Sequence, residues 1–111
     1  MTSTAFIIKQ NDTLPLLRRK LQDAAGSPVA DLTGLLITFR MTKVGATTPK
    51  VESPAVIVDG PTAEVQYSWQ PGDTDEAGVY DAEWEVNFGA GNVQTVPNDG
   101  HMSISIIREL G

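Results

Sequence analysis

From Tyr80 to Phe88 the chain alternates without a fault. Tyr80, Ala82, Trp84, Val86 and Phe88 fall on one face, and Asp81, Glu83, Glu85 and Asn87 on the other. A period of two belongs to an extended strand with one face buried; a helix repeats every ~3.6 residues and would scatter the two classes. The same rule holds elsewhere. Ala63, Val65, Tyr67 and Trp69 alternate with Glu64, Gln66 and Ser68. Leu35, Ile37, Phe39 and Met41 alternate with Leu36, Thr38, Arg40 and Thr42, and Met102, Ile104 and Ile106 with Ser103, Ser105 and Ile107. Shorter strands are expected over Ala55–Asp59, over Asn92–Val96 and around Phe6 and Ile8.

Glycine, proline, asparagine and aspartate punctuate these runs at short intervals, from Asp12–Pro15 through Asp59-Gly60-Pro61 to Pro97-Asn98-Asp99-Gly100. That spacing reads as an antiparallel sandwich or barrel rather than as βαβ units. One segment resists. Leu14, Leu17 and Leu21 stand at helical spacing, with Thr13 as an N-cap and Gly26 as a stop. The all-β surroundings favour a strand there, which puts Arg19 on the same face as Leu17 and Leu21.

Composition narrows the classes. The chain has 111 residues and 41% hydrophobic content, enough for one packed domain spanning 1–111 with a short arm over about residues 1–5. Eight basic and fourteen acidic residues give a net charge of −6. Nucleic-acid binding is not expected, because neutralising phosphates needs a basic surface. No run approaches the ~18 apolar residues of a membrane span, and Met1–Thr4 does not open a secretory signal. With no cysteine, disulfides and thiol catalysis are excluded.

The most specific local signal is Asp75-Glu76-Ala77-Gly78-Val79-Tyr80-Asp81-Ala82. In immunoglobulin-type sandwiches a tyrosine near the start of a late strand bonds back to the preceding corner, two residues before a cysteine position. Here Ala82 holds that position, so packing must join the layers, and Trp69 and Trp84 are the natural fillers. The expected fold is an immunoglobulin-like antiparallel β-sandwich of about seven to nine strands without a disulfide.

A wider likeness covers the chain. Its residues are Ile8–Pro15, Gly26-Ser27-Pro28-Val29, Asp31-Leu32-Thr33-Gly34 and Ile37-Thr38-Phe39-Arg40-Met41. Trp69 with Pro71, Asp73-Thr74, Ala77-Gly78-Val79-Tyr80 and Pro97-Asn98-Asp99-Gly100 complete it. In order and spacing these resemble the N-terminal immunoglobulin-like domain of phage baseplate upper proteins. The resemblance implies a virion component present in several symmetric copies, acting in assembly. Arg19 departs from it, standing where such domains have an apolar inward residue.

The chemistry-bearing residues do not converge. His101, the single histidine, has Ser103, Ser105 and Asp99 nearby in sequence but no nucleophile elbow. Asp73, Asp75 and Glu76 share a loop, and Asp81, Glu83 and Glu85 share a strand face. Alternate strand carboxylates lie too far apart for one calcium ion, and Arg40 is placed to offset their repulsion. Gly89-Ala90-Gly91 joins two strands and reads as a hairpin rather than a phosphate loop. No catalytic, metal or cofactor-binding residue is therefore expected.

What remains is contact. Arg18-Arg19-Lys20 is the one basic block on an acidic chain, suited to an edge strand or to docking an acidic neighbour. With Phe6 these form the expected subunit interface. The leading expectation is a non-enzymatic structural protein of a tailed phage, in the baseplate or tail, contacting other virion proteins. A capsid decoration or neck protein of the same fold is the first alternative. A carbohydrate- or receptor-binding module is the second, and it would need an exposed aromatic platform, whereas all seven aromatics are expected to face inward.

Overall fold

A computed structural model describes residues 5–97 and 101–110. Nearly all of the expected arm and the centre of the turn after Pro97 lie outside the described residues. Eight strands follow one another: β1 (Phe6–Lys9), β2 (Leu17–Lys20), β3 (Leu36–Lys43), β4 (Val51–Asp59), β5 (Glu64–Tyr67), β6 (Gly78–Gly89), β7 (Asn92–Val96) and β8 (Met102–Ile107). No helix occurs among the described residues.

The strands form one continuous path, β1-β8-β6-β3-β4-β5-β2, that nearly closes on itself, with β7 added to β6. β4 makes the corner. Its first half, Val51–Ala55, pairs with β3, and its second half, from Val56, pairs with β5. The molecule is therefore a β-sandwich whose layers are joined through a shared strand. β6 is the spine: β3 lies along one side, while β8 and then β7 share the other.

One pairing departs from the antiparallel expectation. β1 runs parallel to β8, with Phe6 opposite Ile104 and Ile8 opposite Ile106. A parallel partner needs a long connection, and β1 and β8 stand near opposite ends of the sequence. The strand expected over Ala55–Asp59 begins earlier, at Val51, because Met41 and Val51 already pair across the hairpin.

The segment with two readings is a strand. Leu17 and Leu21 are buried, but Leu14 is 67% exposed, so the helical stripe has no core to face. Tertiary pairing with β5 overrides the local propensity.

Phe39 stands at the centre of the core. Its ring lies 4.7 Å from Tyr67 and 4.9 Å from Trp84, and meets Trp69 edge-on at 5.8 Å. Phe6 stacks on Trp69 from the outside at 6.0 Å. Aromatic pairs at such separations add to what area burial alone contributes. Trp69 and Trp84 thus fill the space between the layers, and both are buried.

Phe88 corrects the inward assignment of all seven aromatics. It is 39% exposed, although Tyr80, Ala82, Trp84 and Val86 on the same face are buried. The register between β6 and β7 shifts between Asn87 and Gly89. Phe88 sits in that irregularity beside the hairpin, and alternation alone does not say how far along a strand the core extends.

A part-buried hydrogen bond ties the corner before β6 back to the strand. The Tyr80 hydroxyl donates to the Glu76 carbonyl at 2.7 Å, four residues upstream. A second close approach fixes the turn before β5. Leu32 N–H donates to the Gly60 carbonyl, and a Cβ at Gly60 would collide with Thr33 Oγ1 and the Thr33 main chain. Only glycine fits there without displacing that loop.

Candidate functional site

The strand-face carboxylates form an electrostatic cluster around one cation. Arg40, on β3, lies opposite Glu52 on one side and Glu83 on the other. Its guanidinium reaches Glu52 at 2.7 Å, Glu83 at 3.0 Å and Glu85 at 3.6 Å. The hydrogen bond to Glu52, then that to Glu83, hold the arginine more firmly protonated against a burial cost of opposite sign. Arg40 lies across from the row, where the sequence places it, and it takes in Glu52 as well.

The loop carboxylates disperse onto separate partners. Asp73 accepts from the Tyr67 hydroxyl and from Gln70 N–H, Asp75 pairs with Lys50, and Glu76 pairs with Lys43 at 2.8 Å. Burial first, then the Asp73 bond, push the Tyr67 hydroxyl well above its ordinary pKa. Asp73 thus closes its own turn, while Asp75 and Glu76 tie the loop to Lys50 and Lys43. Together they do not converge on a shared point.

His101 is exposed beside Met102, with Nδ1 4.0 Å from Asp81. Ser103 and Ser105 follow it along β8, on the outward face.

The basic block does not act as one strip. Arg18 and Lys20 are exposed on β2, and Arg18 donates through Nε and Nη2 to Gln66 of β5. Arg19 turns to the other face. Its guanidinium lies 5.9 Å from the centre of the Phe6 ring, and Nη1 donates to the Arg18 carbonyl at 2.9 Å. The departure noted at Arg19 therefore has a structural use. It bridges β2 and β1, the two ends of the sheet path, where no main-chain ladder joins them.

Beyond Phe6 that seam opens. A groove of about 570 Å³ is lined on one side by the consecutive residues Arg19 to Asp23. Trp84, Val96, Pro97, His101 and Met102 line the other. None of Val96, Pro97 or Met102 is a site residue by its type or spacing. Their assembly depends on β6, β7 and β8 meeting the far end of β2, which no local pattern records.

A second surface also escapes local reading. Ile7 and Val79 both stand opposite Ser105, from β1 and β6, and are 61% and 50% exposed. Val44 donates its N–H to the Val79 carbonyl, and Ile107 lies two residues beyond Ser105 on the same face; both are exposed. Four aliphatic side chains thus gather on the outer face of one layer. The signal that finds them is apolar residues at outward positions, once the pairing of β1 with β8 is known.

No family model matches the chain, and a search of curated proteins finds no match either.

Proposed function

We propose that this chain is a non-enzymatic structural subunit of a tailed-phage particle, working in the baseplate or tail through protein–protein contacts. The observation that carries the reading is the aliphatic face of Ile7, Val44, Val79 and Ile107 around Ser105. Contiguous exposed apolar side chains of this kind mark surfaces that another protein covers. The chain-long resemblance of Ile8–Pro15, Asp31–Gly34 and Ala77–Tyr80 to baseplate upper protein domains supports the address. Arg18 and Lys20, exposed on the terminal strand β2, supply a second contact with the charge to meet an acidic neighbour.

The test is a cryo-electron microscopy reconstruction of particles assembled with the parent chain and with Ile7→Asp/Val79→Asp. Density for the parent at the tail tip is the expected result. The double variant is expected to remain folded, since both side chains are on the surface, and to be missing from the particle. Density on the capsid or neck would replace the baseplate with decoration or joining. Absence of the parent chain from the particle would overturn the reading.

A further inference from the structure

We propose that the seam groove beyond Phe6 accepts an extended acidic peptide segment of a partner protein, which adds to β2 as a further strand. This goes beyond the assembly reading and does not depend on the particle. It uses a different surface from the Ile7–Val79 face, and it is testable in solution.

The main chain of β2 presents an edge on this side. In antiparallel pairs, alternate residues turn both N–H and C=O towards the partner. Leu21 N–H donates to the Ala63 carbonyl, on the β5 side, and the Leu21 carbonyl accepts from Val29. By alternation Arg18, Lys20 and Gln22 turn theirs away from β5. The Arg18 carbonyl is met by Arg19 Nη1. The main-chain groups of Lys20 and Gln22 have no partner among the described residues, and both residues line the groove. An incoming strand would satisfy them, which is how exposed sheet edges capture extended peptides.

Met102, 8% exposed, and Trp84, 1% exposed, floor the groove as core residues, so Met102 offers most of the apolar contact a guest can make there. The volume of about 570 Å³ is that of a ligand-binding cleft. At ~3.3 Å per residue, four or five extended residues run the length from Arg19 to Asp23. Their inward side chains would meet Met102, and their outward ones would lie beside Arg18 and Lys20.

On a chain of net charge −6, this wall carries Arg19 and Lys20, with Arg18 adjacent. Lys20 makes no ion pair among the described residues. Asp23, the one carboxylate in the lining, is turned into its own loop, where Oδ1 accepts from Ala25 and Ser27 N–H. The edge is therefore complementary to carboxylates at the outward positions of the guest, with an aliphatic side chain at the inward ones. An opposite charge directly across a strand pair is stabilising and a like charge is not.

The experiment titrates the full 111-residue chain with a capped Glu-Val-Glu-Val-Glu peptide and follows amide and indole signals by NMR. Saturable shifts are expected at Lys20, Gln22, Met102 and the Trp84 indole, with slowed amide exchange at Lys20 and Gln22. A Lys-Val-Lys-Val-Lys peptide is expected to bind at least about tenfold more weakly, as is the Glu peptide to Lys20→Glu. Lys20 is exposed, so that variant leaves the core intact; Arg19→Glu is the companion variant nearer the seam. No shift, an equal response to the lysine peptide, or shifts centred on Ile7 and Val79 would each overturn the proposal. So would concentration-dependent shifts at Lys20 and Gln22 without any peptide, which would make a second copy of this chain the occupant.

Discussion

The sandwich closes in two different ways. At the corner before β6, a buried tyrosine hydroxyl bonds to a main-chain carbonyl, and the same strand is paired along both of its sides. At the seam between β1 and β2, no ladder runs, and one guanidinium lying over one phenyl ring spans the gap. The difference shows where the fold is fixed and where it is left accessible. Main-chain pairing plus a buried polar contact makes a closed region. Among the described residues, a half-exposed side-chain contact beside Phe6 takes the place of a ladder there.

The sharpest way to break the comparison is at the corner. Tyr80→Phe keeps the ring and removes the donor to the Glu76 carbonyl, so it should cost about 1 kcal/mol or somewhat more. The measurement is the shift in chemical denaturation midpoint at constant slope. An unchanged midpoint would mean that the corner bond is matched by water in the unfolded chain, and the two regions would then differ only in pairing.

A smaller effect is expected at the seam. Arg19→Ala removes the cation over Phe6, a contact worth about 0.5–1 kcal/mol at exposed sites, and also the cap on the Arg18 carbonyl. The more telling readout is local. Hydrogen exchange at the β1 amides should quicken while the β6 amides stay protected, since β1 would keep its pairing with β8 but lose its side-chain tie to β2. If β1 and β6 respond together, the seam is not a separate unit, and the two regions open as one.

The two regions also differ in how far the sequence reveals them. The strand carrying Tyr80, Ala82, Trp84 and Val86 was legible because burying one face of a sheet writes a period of two into the residues themselves. The Tyr80 corner was legible because its bond is short-range, between residues four apart. Phe88 was misread for a physical reason: its alternation is intact, but burial depends on where the opposite layer stops. The seam lay further out of reach. Arg19 could be placed on the inward face, but its partner Phe6 comes near only because β1 pairs in parallel with β8. The groove needs Lys20, Trp84 and Met102 together, and nothing local connects them.

The smallest expected effect is a change of pH profile, and it separates the regions once more. The Lys43 ammonium, through its hydrogen bond and then its charge, holds the Glu76 carboxyl below its ordinary pKa. Thr33 does the same for Asp31, through its hydroxyl and then its N–H. A depressed carboxyl pKa means that the unfolded chain binds more protons in acid. These groups contribute stability above the unfolded carboxylate range, and it is lost as pH falls through the folded values. Lys43 and Lys50 are raised by Glu76 and Asp75 respectively, and Tyr80 is raised by burial and then by the Glu76 charge. Their contribution is fully present below their unfolded pKa values and is lost as pH rises through the folded ones. Stability should therefore plateau near neutrality and fall on both sides. Glu76→Gln keeps the carbonyl that receives Tyr80 while removing the carboxylate that pairs with Lys43. Its denaturation midpoint should fall less steeply in acid than the parent's, by a small margin because the pair is exposed. Arg19→Ala should instead displace the whole profile with its shape unchanged, since the contact it removes is to a phenyl ring that does not titrate. A parental acid slope in Glu76→Gln would show that the Lys43–Glu76 pair beside the corner adds nothing to its closure.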